Sequence, residues 1–166
     1  EPNSARFFGS ALLDATSYDS LDFATAEGAP DDSVAILVDH RQVFLFGTDT
    51  VEIWYNSGSA GFPFLRESNG MIEVGCGAAS TPAKADNTVF WLDNQRIARR
   101  LSDLTPARIS THAIEQQWQT YDSVDDAYSF AFTHEGHHFW CLTFPTGGDT
   151  FIYDIATGEW SERRSR

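Results

Sequence analysis

The string His134-Glu135-Gly136-His137-His138 is the part of this chain whose residue types most directly spell a reaction. It fits H-E-x-x-H, in which two histidines one helical turn apart hold zinc and the glutamate activates a metal-bound water. That chemistry needs a helix. Here the string lies between two β-like runs and carries glycine at its centre, so it reads as a polar hairpin tip that splays His134 and His138 onto opposite strands. No zinc site is expected from His134, His137 and His138. Asp14, Asp19 and Asp22 line an aromatic stretch near the start, and carboxylates at strand ends serve sugar hydrolysis in some propeller enzymes. Such work needs a paired acid and base with separated pKa values, and no pairing is legible here. Gly147-Gly148 lacks the Lys-Ser/Thr and the helix of a phosphate loop, and no Gly-x-Ser-x-Gly elbow is present. The expectation is a protein without catalytic, cofactor-binding or metal-binding residues. The one basic concentration is Arg96, Arg99, Arg100 and Arg108. It carries no nucleic-acid motif in a chain of net charge −13, so sequence-specific nucleic-acid binding is not expected. It reads as a solvated blade edge, as a docking patch for an acidic partner, or as a lane near a DNA-filled channel.

The elements that would hold these groups recur. Val43-Phe44-Leu45-Phe46, a turn at Gly47 to Thr50, and Val51-Glu52-Ile53-Trp54-Tyr55 form one unit, followed by Phe62-Pro63-Phe64-Leu65. Val89-Phe90-Trp91-Leu92, a turn at Asp93-Asn94-Gln95, and Arg96-Ile97-Ala98-Arg99 form a second, followed by Ala107-Arg108-Ile109. Phe139 to Phe144, a turn at Pro145 to Asp149, and Thr150-Phe151-Ile152-Tyr153 form a third, with Trp160 after Gly158. Phe7-Phe8, a loop and Tyr18 read as the remnant of an earlier copy. Phe7, Ile53, Ile97 and Ile152 stand at equivalent places, 46, 44 and 55 residues apart. A period of this size built from short strands marks β-propeller blades. A preceding strand belongs to each unit: Val34 to Val38, Thr81 to Ala85, and Tyr128 to Thr133, the last with Tyr128, Phe130 and Phe132 on one face. The hairpins fall at Asp39-Arg41, Gly47-Thr50, Asp86-Asn87, Asp93-Gln95 and Glu135-His137, all with turn-forming residues. Met71 to Cys76 reads as an inner strand ended by glycine, and His112 to Trp118 as a two-turn helix.

Composition agrees with an all-β array. Aromatic residues make up 14% of the chain, with thirteen Phe, five Trp and five Tyr, and flat rings fill the space between stacked sheets. Trp54, Trp91, Trp140 and Trp160 stand at repeat positions and read as wedges between blades. The acidity is uneven: residues 1–95 hold 4 basic and 14 acidic groups, a net −10, and residues 96–166 hold 7 and 10, a net −3. Cys76 and Cys141 sit in apolar runs 65 residues apart and read as buried thiols, with a single long-range disulfide as the alternative that no spacing signature supports. The apolar runs are too short to span a membrane. Glu1-Pro2-Asn3-Ser4 carries no signal segment and reads as a boundary or a proteolytic end. No linker divides the chain, so residues 1–166 form one repeat array.

Further strings carry a resemblance: Val38-Asp39-His40-Arg41, Trp54-Tyr55-Asn56, Phe62-Pro63-Phe64, Glu73-Val74-Gly75-Cys76, Asp86 to Leu92, Arg108 to Glu115, Glu135-Gly136-His137, Leu142 to Pro145 and Tyr153 to Gly158. In this order they resemble the packaged-DNA stabilisation proteins of short-tailed bacteriophages and prophages, also called tail accessory factors or tail hubs. The resemblance runs from about Arg6 to Glu162, and family members are longer. It implies a structural, non-catalytic virion protein, made in the bacterial host cytoplasm and built into the tail. It also implies self-association as a hexameric ring beneath the portal and its adaptor, closure of the DNA exit channel, and attachment of the needle and tailspikes. The residues themselves leave two other classes open: a carbohydrate-binding or glycosidase-type propeller, and a general protein-interaction propeller. With about three and a half repeats, the chain is expected to form an incomplete propeller of three to four blades, open or paired with a second copy through its terminal blades.

Overall fold

A computed structural model describes residues 4–11, 13–26, 28, 31–59 and 61–164. Glu1 to Asn3 of the opening Glu1-Pro2-Asn3-Ser4 lie outside them. Among the described residues there are fourteen strands in four antiparallel sheets and one helix.

Each of three sheets is a four-stranded meander in chain order. The first blade comprises β3 (Ser33–Asp39), β4 (Gln42–Gly47), β5 (Val51–Asn56) and β6 (Phe64–Ile72). The second comprises β7 (Ala83–Ala85), β8 (Thr88–Leu92), β9 (Ala98–Ser102) and β10 (Thr105–Arg108). The third comprises β11 (Tyr128–His134), β12 (His137–Phe144), β13 (Asp149–Asp154) and β14 (Glu159–Arg164). Ahead of them β1 (Arg6–Ala11) and β2 (Asp14–Thr25) form a two-stranded sheet. The helix α1 (His112–Gln119) connects the second blade to the third. This is the propeller-like array of antiparallel blades that the repeat implies.

The second strand of each blade explains why its residues are so uniformly apolar. It is buried on both faces, so polar alternation disappears. Alternate side chains point to opposite neighbours. In β4, Val43 and Leu45 pack toward the N-terminal hairpin with Trp54, while Phe44 and Phe46 pack toward the second blade with Val89 and Trp91. In β8, Phe90 and Leu92 turn the other way, meeting Trp140, Leu142 and Phe144 of β12. Phe46, Phe90, Trp91, Trp140 and Phe144 are fully buried. Burying one such phenylalanine is worth about 1.5–3 kcal/mol. Trp54, Trp91 and Trp140 therefore act as the expected wedges, and half-buried Trp160 rests on Trp118, Trp140 and Tyr153. First strands converge: β7 lies against β11, and Ser80 bridges to Tyr128.

The tight hairpins have a shared geometry. His40 and Arg41, Asp86 and Asn87, Asp103 and Leu104, and Glu135 and Gly136 all have positive φ, the pair of left-handed residues that a type I′ turn requires.

Three expectations are corrected. Tyr18 is not beyond a loop: residues Asp14–Thr25 form strand β2, paired with β1, and Asp14, Asp19 and Asp22 lie on it. Ile97 is not the counterpart of Ile53. Its N–H is drawn to Asp93 Oδ1 at 2.8 Å in a widened turn, and Arg96 takes positive φ, so β9 starts at Ala98. Met71 to Cys76 is not an inner strand. A register shift between Glu52 and Trp54 lets β6 run on, pairing Met71 with Glu52 and Ile72 with Val51. The remaining Glu73–Cys76 is a connector, where a Cβ at Gly75 would overlap the Thr48 carbonyl.

Candidate interaction surfaces

The H-E-x-x-H string forms the hairpin between β11 and β12. His134 pairs with His137 and Thr133 with His138, so His134 and His138 sit on opposite strands. Among the described residues no group of three or more His, Cys, Asp or Glu is placed to hold a metal. Individual histidines have local partners. His137 Nδ1 lies 2.8 Å from Asp154 Oδ2, and His40 Nδ1 lies 2.7 Å from Asp39 Oδ2. The hydrogen bond and the charge of Asp39 raise the His40 pKa above its ordinary value. The tips of three first hairpins share one end of the array. Between them opens a shallow cleft of about 400 Å³, with Asp39, His40, Lys84, Asp86, Thr133 and His138 in its wall.

The four arginines come together only in part, and each has an internal partner. Arg99 Nε donates to Asp93 Oδ2 at 2.7 Å, and Asp93 is fully buried. Arg96 Nη1 donates to the carbonyls of Trp118 and Tyr121 at 2.8 and 2.9 Å. It thereby satisfies the end of α1, where carbonyls lack helical partners and a cation is favoured. Arg100 Nη2 donates to Asp86 Oδ2 at 2.8 Å and lies over the Phe90 ring. Arg108 Nε donates to Glu115 Oε1 at 2.7 Å, and Arg108 Nη2 reaches the other carboxylate oxygen. Ser110 also donates to Glu115. Burial pushes the Glu115 carboxyl up, but the bonds from Arg108 and Ser110 outweigh it and hold the pKa below the usual carboxylate range.

The early aspartates are held by their own backbone. Asp14 Oδ1 accepts from the Thr16 N–H and hydroxyl, and Asp19 Oδ1 from the Leu21 N–H at 2.9 Å. These local bonds do not make an acid–base pair. Both cysteines are free and buried, and burial raises the Cys76 thiol to about 11. No helix among the described residues is long and apolar enough to cross a membrane.

One recurrent position escaped the sequence reading. Asp31, Thr81 and Asp126 each stand two residues before the first strand of a blade. Asp31 Oδ2 accepts from Asp49 N, Thr50 N and Thr50 Oγ1. Asp126 Oδ2 accepts from Thr146 N and Oγ1 at 2.9 and 2.7 Å, and Thr81 Oγ1 from Leu92 N at 3.3 Å. Each ties the entry of its blade to the turn or strand end between the second and third strands. The signal was a hydrogen-bonding side chain at a fixed offset from each blade start.

Apolar surface stays bare in several places, among them Leu21 of β2 and Leu104 of the second blade, and two patches group on single sheet faces. On the first blade, Ile36 and Val38 are 58% and 55% exposed. On the third, the face turned away from the second blade bears Tyr128, Phe130 and Phe132, all exposed, with Phe132 stacked on Phe139. Monomeric proteins rarely leave contiguous apolar patches uncovered without a binding role.

Stacked four-stranded blades, polar groups engaged in internal ties and bare apolar ends define a β-propeller scaffold. Residues 1–164 match the family model described as Bacteriophage P22 Gp10, beta-propeller, and the chain belongs to that family of structural phage proteins. No curated protein matches it.

Proposed function

We propose that this chain is part of the tail hub of a short-tailed phage or prophage, where it retains packaged DNA at the portal vertex. The match to the phage family along 1–164 carries this reading. The exposed hairpin tips and apolar blade faces support it, because they offer contact surface. In this reading the protein is not an enzyme. It works by filling the exit path and by presenting platforms to the portal or adaptor, the needle and the tailspikes. The parent protein self-associates as a ring, and residues 1–166 form one array within it. The test is a phage or prophage lacking the parent gene, complemented in trans. Heads made without the protein should lose DNA after packaging and carry no needle or tailspikes, and complementation should restore both. Mutant particles that keep their DNA and a complete tail would refute the proposal.

A further inference from the structure

The second blade is the short one. Its strands run three to five residues, against six to nine in the first blade and six to eight in the third. A short sheet cannot cover the whole face of a longer neighbour, and recesses open where it falls short. The cleft between the three hairpin tips is one. A second, of about 380 Å³, lies between the first and second blades and shares Asp39, His40, Asn87 and Thr88 with it. Phe44, Val89 and Leu101 line its apolar part. A third, of about 420 Å³, shares Leu104 with the second and is walled by Ile72, Val74 and Pro106. The three run together as one trough, from the first strands across the junction of the two blades to the fourth strands β6 and β10.

Charge changes sign along the trough. At the first-strand end stands Lys84, the only lysine of the chain. It pairs with Val89, so the two share the face turned to the first blade. The carboxylates around it are engaged elsewhere: Asp39 by His40 at 2.7 Å and Asp86 by Arg100 at 2.8 Å. His138 is bonded to Thr133 Oγ1. Among the described residues Lys84 itself has no ion pair, and its charge acts on His40, against the larger upward push from Asp39. A positive charge is left over there. At the far end Glu73 and Asp103 are exposed and have no ion pair among the described residues, which leaves negative charge. Between the ends the lining is apolar. Leu104 adds to it at a conformational cost. Asp103 and Leu104 hold φ of 46° and 63°, the turn positions that favour Asn and Gly, yet a leucine stands there, 37% exposed, where two recesses meet.

We infer that the trough between the first and second blades binds an extended peptide segment of a partner protein, acidic over Lys84, apolar in its middle and basic beside Glu73 and Asp103. Complementary charge at both ends fixes which way the segment lies and rejects segments charged the other way. Apolar side chains at alternate positions of the extended segment reach the lining between Phe44 and Leu104. A nucleic acid would bring phosphates to Glu73 and Asp103, and a neutral glycan would leave both charged ends unmatched. Both walls belong to complete blades inside the chain, so the site does not depend on the tail-hub reading.

The probe is a yeast-displayed library of random nonapeptides, selected on the 166-residue protein. Enriched peptides should carry Asp or Glu on one side of an apolar pair and Lys or Arg on the other. Lys84→Glu should weaken them roughly tenfold or more at low salt and less at high salt. Leu104→Asn, which suits a left-handed turn, should weaken them roughly fivefold or more while leaving the thermal midpoint unchanged or higher. Phe130→Ser, on the far face of the third blade, should leave binding unchanged. A selection that enriches no peptide would overturn the inference. So would enriched peptides that lack the charge pattern or are insensitive to either trough substitution. Two further results would give the trough a different occupant and overturn it equally: oligothymidylate binding that Lys84→Glu abolishes, or a dimer in light scattering that Leu104→Asn dissociates.

Discussion

Replacing Asp93 by alanine is expected to cost about 3–4 kcal/mol of folding stability, a large share of the roughly 5–15 kcal/mol of a typical domain. Asp93 is fully buried and serves three donors. Oδ1 accepts from Gln95 N and Ile97 N at 2.8 Å each, and Oδ2 accepts from Arg99 Nε at 2.7 Å. Removing the carboxylate leaves the Arg99 guanidinium, only 17% exposed, without its anion. Breaking a buried pair from one side costs about 3–5 kcal/mol. Two features lower the figure within that range: Arg99 keeps a 3.2 Å bond to the Pro106 carbonyl, and the exposed Gln95 N–H can turn to water. The half-buried Ile97 N–H has less access, adding about 1 kcal/mol. Asp93→Asn keeps one acceptor but aims an amide N–H₂ at Arg99, for a loss of about 1.5–3 kcal/mol. Urea unfolding with linear extrapolation measures both, with the slope unchanged if only stability moved. A double-mutant cycle with Arg99→Met should return a coupling above about 1 kcal/mol. If Asp93→Ala unfolds within about 1 kcal/mol of the parent, the assignment of Asp93 as the tie between turn and strand is wrong.

Gly75→Ala should destabilise by about 1–3 kcal/mol, because its Cβ meets the Thr48 backbone and cannot be relieved by a rotamer change; thermal unfolding reads the loss. Stability should fall as acid is added: Glu115 and Asp154, both held below the usual carboxylate range against burial by their hydrogen bonds, bind fewer protons folded than unfolded. Their contribution is complete above the unfolded value, about 4, and is lost as pH falls through the folded one. Glu115→Gln should therefore flatten the acid limb of a stability–pH curve, and an unchanged limb would contradict the Arg108–Ser110–Glu115 tie. Arg100→Glu should change stability by about 1 kcal/mol or less, as expected of a half-exposed pair. If that edge docks an acidic partner, the same change should weaken incorporation into tails at low salt, and unchanged incorporation there would argue against the docking role.

The blades were readable because burial on both sides strips polar residues from β4, β8 and β12, leaving apolar runs that stand out against the turns. The type I′ hairpins were readable from Asp39-His40-Arg41, Asp86-Asn87 and Glu135-Gly136. Strand β2 was not. Nearly all of it is exposed, so no hydrophobic alternation records its pairing with β1. The displaced start of β9 was equally hidden, since it depends on a carboxylate reaching back across its own turn. The arginine cluster looked like a free patch because its acceptors are tertiary: Arg96 finds carbonyls 22 and 25 residues away. The Asp31, Thr81 and Asp126 ties escaped because one physical role is filled by two residue types at unequal spacing.

The meander within each blade bears on how such a chain changes over generations. Among the described residues every ladder joins strands that are neighbours in sequence, and the backbone links between the second and third blades at Ser80 stand outside those ladders. Cutting between blades therefore severs no strand pairing in those that remain. A stretch of about 45–50 residues is thus a unit that duplication can add or deletion can remove, leaving only two packing faces to be rejoined. The number of blades is written in the tilt between neighbouring sheets and in the side chains that wedge them apart, Trp91 and Trp140 foremost. Substitutions there have the leverage to reset how neighbouring blades lean on one another while every hydrogen-bonded sheet stays as it was.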